Sequence, residues 1–157
     1  MGNFLRVDEY RYEQREGVSA TYDTGHGMRL NADQCTVIYP NGIAANEDNV
    51  FTVYLNGARE FITNWTGIQD INNERSYVRV NRYKRTEQEN GTFIWQYLGL
   101  AQGSSARVFP DQVVKVYTAG LGYESDGTTD HNIFTVHLSD GQKFVTDWDG
   151  VQNIFND

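Results

Sequence analysis

Two hydrophobic periodicities alternate along the chain. Near the N-terminus Leu5 and Val7 face one way while Phe4, Arg6 and Asp8 face the other, the period of two that marks a half-buried strand. Val78 and Val80 repeat this pattern. A second strand is expected over 18–22 after a glycine-marked turn, with a counterpart over 92–98, and a third over 35–39, matched by 113–117. The clearest element is a hairpin: 51–55 runs into Asn56-Gly57, a pair suited to a type I′ turn, and returns through 60–65. Its alternation puts Phe51, Val53 and Leu55 on one face, with Phe134, Val136 and Leu138 as counterparts around a turn at Ser139-Asp140-Gly141. The alternation then stops. Trp65, Ile68 and Ile71 fall at i, i+3 and i+6, as do Trp148, Val151 and Ile154. That spacing predicts a short helical turn closing the open end of a small sheet, with Trp65 and Trp148 as plugs of their cores.

The recurrences read as a tandem duplication, which is the first thing to look for in any chain. Residues 49–74 (NVFTVYLNGAREFITNWTGIQDINNE) align without a gap on 132–157 (NIFTVHLSDGQKFVTDWDGVQNIFND), identical at 12 of 26 positions. Upstream, FLRVDEYRYEQREG parallels YVRVNRYKRTEQENG, and RLNADQCTVIYPNG parallels RVFPDQVVKVYTAG. The offset grows from 73 to 78 to 83 residues, so the second copy carries short loop insertions. Chance does not produce three collinear matches. The expected fold is mainly β: two small five-stranded antiparallel modules, 1–74 and 75–157, each ending in a short helical turn. A module of this size buries only about 60% of its extended surface and is marginal alone. The two are therefore expected to form one compact unit about a pseudo-twofold axis. Open sheet edges would also favour a homo-oligomer.

Composition narrows the class. Of 157 residues, 39% are hydrophobic and 13% aromatic, enough for a packed core and unlike a disordered chain. No apolar run nears the roughly 18–20 residues that span a bilayer, and the charged start is unlike a secretory signal. A soluble, cytoplasmic protein with no membrane partner is the expectation. The single cysteine, Cys35, excludes an internal disulfide and any multi-cysteine metal site. The net charge of −8 opposes nucleic-acid binding, which draws affinity from basic surfaces. Residues 75–85 (RSYVRVNRYKR) form the one basic run, and a solvated strand face is the better account of it.

Candidate chemistry is sparse. Asp23-Thr-Gly25 resembles the active-site triplet of aspartic proteases, but those enzymes need two facing triplets and the second copy offers none. A glycine-rich turn explains it better. The histidines His26, His131 and His137 show no metal-ligand spacing, and Cys35 aligns with Val113 as a small core residue. The acidic stretch 124–130 has the alternating oxygen donors of a calcium loop without its full ligand set, so a solvated loop is the simpler reading. No cofactor or metal is expected.

Both copies retain Arg6/Arg79, Tyr10/Tyr83, Arg29/Arg107 and Tyr39/Tyr117, together with Asp33/Asp111, Gln34/Gln112 and Gln69/Gln152. The arginine and tyrosine pairs are the candidate ligand-binding residues of two pseudo-equivalent sites for a small polar or anionic ligand, a glycan or a protein surface. A non-enzymatic binding protein is thus the leading expectation. The alternatives are a small hydrolase using Asp23/His26 or Asp130/His131, and an assembly subunit of a larger particle.

Overall fold

The long strand β1 (Phe4–Arg15) turns back as β2 (Val18–Asn31), and the turn is made by Glu16 and Gly17, both with left-handed φ (51° and 82°). In the computed structural model, which describes residues 4–57, 59–98, 105–123 and 130–156, the chain divides into two compact units, 1–77 and 78–157. The fold is mainly β, as the alternating pattern implies, with two short α-helices.

In the first unit a 3-10 turn, Ala32–Gln34, leads into β3 (Cys35–Ile43), followed by β4 (Asn49–Leu55) and β5 (Arg59–Asn64). The strand order is β2-β1-β5-β4-β3, with every pairing along it antiparallel. Helix α1 (Trp65–Glu74) follows without a linker, because the Asn64 side chain accepts a hydrogen bond from Gly67 N (3.0 Å) and so caps the first turn. Val7, Tyr10, Leu30, Val37, Ile38, Val53, Ile68 and Ile71 are buried.

In the second unit β6 (Val78–Val80) pairs with β9 (Ala106–Val108), and β7 (Tyr83–Glu87) pairs with β8 (Phe93–Tyr97). A 3-10 turn, Pro110–Gln112, precedes β10 (Val113–Tyr123), β11 (Asp130–Leu138) and β12 (Lys143–Asp147), and helix α2 (Trp148–Phe155) closes the order. Strands β10-β11-β12-β7-β8 form a closed barrel. The closing pair, β10 with β8, runs parallel through Gly122 opposite Trp95, a departure from the all-antiparallel expectation. Asp147 caps α2 by accepting from Gly150 N (2.9 Å).

Four local expectations need correction. Strand β2 does not stop near Tyr22. The segment Asp23-Thr-Gly25-His26 is a bulge inside it: Asp8 pairs with Gly27 and Tyr10 with Asp23, so three residues oppose Glu9. Gly25 supplies the required left-handed φ of 80°. Among the described residues of the β4–β5 turn Gly57 is left-handed (84°) and Asn56 is not, and Leu55 pairs with Arg59, so the turn is not the type I′ expected of Asn56-Gly57. Strand β10 runs on to Tyr123 instead of ending near Tyr117. Finally, Trp65 and Trp148 do not plug the cores; they are 41% and 53% exposed. Each is the first residue of a helix with 3.6 residues per turn. Steps of three drift off the buried face, which is carried by Gly67, Ile68 and Ile71 in α1 and by Gly150, Val151 and Ile154 in α2. The tryptophans lie instead against Phe51 and Phe134, each pair with ring centroids 5.6 Å apart.

A tyrosine-floored cavity in the second unit

At the start of β7 the side chain of Tyr83 turns into the barrel and is buried with Ile133 and Val145. Its hydroxyl donates to Asp147 Oδ2 (3.3 Å), and Asn81 Nδ2 donates to the same oxygen (3.0 Å). Asp147 Oδ1 is taken by Gly150 N, so a carboxylate only 7% exposed accepts three hydrogen bonds, all from neutral donors. Tyr97, opposite Tyr83 in the ladder, donates to Asn81 Oδ1 (3.4 Å) and stacks its ring on Tyr83 at 5.6 Å and 49°. Above this floor lies a cavity of about 460 Å³, lined by Asn81, Tyr83, Tyr97, His131, Asn132, Asp147, Trp148 and Asp149. That volume lies within the roughly 300–1,000 Å³ of small-molecule sites. Neither lysine nor arginine lines it among the described residues.

The first unit holds a related cluster in a different state. The Tyr10 hydroxyl donates to Asp48 Oδ2 (2.9 Å) and accepts from Asn46 Nδ2 (3.1 Å) and Asn64 Nδ2 (3.4 Å), while Asn64 also donates to Asp8 Oδ2 (3.3 Å). Burial pushes the Tyr10 phenol up from its ordinary value, and the neighbouring Asp48 carboxylate acts in the same direction. The unit's own side chains surround the hydroxyl. A broader groove of about 640 Å³ runs along β1, β4 and β5, and Tyr10 lines it together with Glu9, Arg11, Tyr12, Tyr54 and Glu60.

Of the predicted site residues, Tyr83 lines the cavity and Tyr10 the groove. Tyr10 and Tyr83 are the centres just described. Arg6 and Arg29 face each other across the β1–β2 ladder with exposed side chains, and Arg6 lies over Gly27. Arg79 and Arg107 are likewise opposite one another across β6–β9; Arg79 is exposed and its Nε donates to Ser105 Oγ (2.8 Å), while Arg107 is buried. Tyr39 meets Tyr54 edge to face at 5.8 Å, and exposed Tyr117 meets His137 in the same way at 5.6 Å. The four arginines and these two tyrosines line neither cavity nor groove. The reason is register. Strand pairing sets each arginine against another arginine across its ladder.

The other candidates resolve as follows. Asp23 Oδ1 accepts from Gly25 N (2.9 Å) and holds the bulge, and His26 is exposed beside it. His131 lines the cavity, whereas the Asp130 side chain and residues 124–129, hence the proposed calcium loop, lie outside the described residues. Cys35 is fully buried, and burial pushes its thiol up to about 12. Of the basic run, Arg75 donates from one terminal nitrogen to the carbonyls of Ala32 and Cys35 (both 2.9 Å), and Arg85 lies 4.1 Å over the Phe93 ring. Among the described residues no three His, Cys, Asp or Glu side chains are grouped to hold a metal, and no helix is long and apolar enough to cross a membrane.

Sequence reasoning missed Asn81, Tyr97, Asp147, Trp148 and Asp149. The aligned segments carried a signal for two of them: Asp8 and Asn64 align with Asn81 and Asp147, an exchange of acid and amide between positions that touch in each unit. No family model matches the chain, and no curated protein or solved structure is significantly similar to it.

Proposed function

We propose that the chain is a non-catalytic binding protein made of two related modules, and that its second unit takes a small polar ligand over Tyr83 and Asp147. The observation that carries this reading is the roughly 460 Å³ cavity, with a buried carboxylate in its floor and an exposed tryptophan at its rim. Concave, partly aromatic walls with a few convergent polar groups are what small-ligand sites are made of. Two acidic residues and no lysine or arginine among the described lining residues make an anionic ligand the weaker choice.

Kinship of the modules is supported by bonds that recur at aligned positions. Asn56 N donates to Gln34 O and Ser139 N to Gln112 O, both at 2.9 Å. Tyr10 stands opposite Ile62 where Tyr83 stands opposite Val145, and each helix is capped by the residue before its tryptophan. A binding reading also accounts for the weak case for catalysis. The Asp147 oxygens are engaged by Gly150, Asn81 and Tyr83.

Isothermal titration of the full chain with a panel of neutral sugars, amines, amino acids and small carboxylates tests the proposal. At least one neutral or cationic compound should bind with one site per chain, and Trp148→Ala should weaken it. Uptake of carboxylates alone, or of nothing in the panel, would overturn it.

A further inference from the structure

Within the binding reading just proposed, we infer that the ligand of this cavity is an organic cation, a substituted ammonium group seated between Asp147 and the rings of Tyr83, Tyr97 and Trp148. Charge comes first. Asp147 is buried, and its three partners are a backbone amide, a carboxamide and a phenol, none of them cationic. Asp149 adds a second carboxylate in the first turn of α2. The helix N-terminus there contributes about half a positive charge, which two carboxylates outweigh. The cavity therefore has a negative floor and rim with no lysine or arginine lining it among the described residues.

Hydrogen bonding separates a cation from a sugar. A sugar needs free donors and acceptors at fixed directions. Here the floor groups are committed to one another: Tyr97 to Asn81, Asn81 to Asp147, Tyr83 to Asp147. The non-directional field of the carboxylate persists after those bonds are made, and a cation reads that field. The ring faces add to it, because the negative face of an aromatic quadrupole attracts ammonium groups within about 6 Å. Tyr83 and Tyr97 are tilted 49° to each other, and Trp148 is held on Phe134 with most of its surface open.

Choline chloride, glucose and sodium acetate, each titrated calorimetrically into the full chain at low ionic strength, test the inference. Choline should bind once per chain while glucose and acetate should not. Asp149→Asn should weaken choline several-fold, and Trp148→Ala by about 3- to 10-fold. Tyr97→Phe, which keeps the ring and removes the hydroxyl, should leave affinity within about twofold, since ring and charge carry the attraction. These are surface or conservative changes, so folding is read separately from circular dichroism. Glucose binding without choline would overturn the cation inference and leave the binding reading standing. No binding by any of the three, or acetate alone, would overturn the cation inference, and the wider panel then decides the binding reading. Choline binding indifferent to Asp149→Asn and Trp148→Ala would overturn the assignment to this cavity.

Discussion

Tyr10 of the first unit and Tyr83 of the second hold matching places in their ladders, yet their hydroxyls keep different company. The Tyr10 hydroxyl meets Asn46, Asp48 and Asn64 beside an open groove, whereas the Tyr83 hydroxyl meets the Asp147 carboxylate in the floor of a cavity. Beneath both lies one contact made with its partners exchanged: amide Asn64 to acid Asp8 in one unit, amide Asn81 to acid Asp147 in the other. The residue that caps the helix is neutral in the first case and charged in the second. The comparison teaches that this frame needs one acid and one amide across the strand end and tolerates either order. Moving the charge onto the buried cap is what gives the second unit an acidic floor.

The exchange is breakable, and with the largest expected effect. Asn81→Asp alone would set two carboxylates against each other at a buried position and should cost about 3 kcal/mol in urea denaturation at neutral pH. Asp147→Asn alone leaves two amides facing and should cost about 1–3 kcal/mol. The double variant restores the order found in the first unit, and a coupling of about 0.5–3 kcal/mol should make it more stable than the two losses predict. Strict additivity would deny that the two pairs are equivalent.

Next in size is the helix–strand contact. An added Cβ at Gly67 would strike the Thr63 side chain, and one at Gly150 would strike Thr146. Gly67→Ala and Gly150→Ala should each cost about 1–3 kcal/mol in thermal or urea unfolding. Unequal costs would show that the helices are not docked alike. The same two threonines carry buried hydroxyls with no hydrogen-bond partner. Thr63→Val and Thr146→Val should therefore be neutral or stabilising by up to about 1 kcal/mol.

The smallest effect separates the units by chemistry. Cys35 in the first unit is aligned with Val113 in the second, and its thiol is pushed up to about 12 by burial. A folded thiol that holds its proton above the unfolded value of about 8.5 leaves stability intact below that pH. Above it the unfolded chain loses its proton first, so stability should fall as pH rises from about 9 towards 12. Cys35→Val should flatten that part of the stability–pH curve, and a disulfide reagent at pH 8 should label Cys35 only as fast as the protein opens.

What could be read from the residues was whatever follows from local pattern. The alternation at Phe51–Leu55 and the burial of Cys35 depend on nearest neighbours and strand period, and each has its place in the fold. What could not be read was where side chains meet across strands. Arg6, Arg29, Arg79 and Arg107 fall at aligned positions of the sequence, but it is register that sets each against another arginine. Tyr97 enters the cavity only because its strand pairs with Tyr83. Trp148 looks like core by hydrophobicity, and only the position of its helix cap turns it outward.

A residue-by-residue map of bound choline on the full chain, from amide shifts in a nitrogen-15 correlation spectrum, tests most directly the claim that the cavity over Tyr83 is where the cation binds. The amides of Asn132, Trp148, Asp149 and Gly150 should move together and saturate on one curve, while Asn46, Asp48 and Gly67 stay still. Equal movement around Tyr10, or none around Gly150, would contradict it.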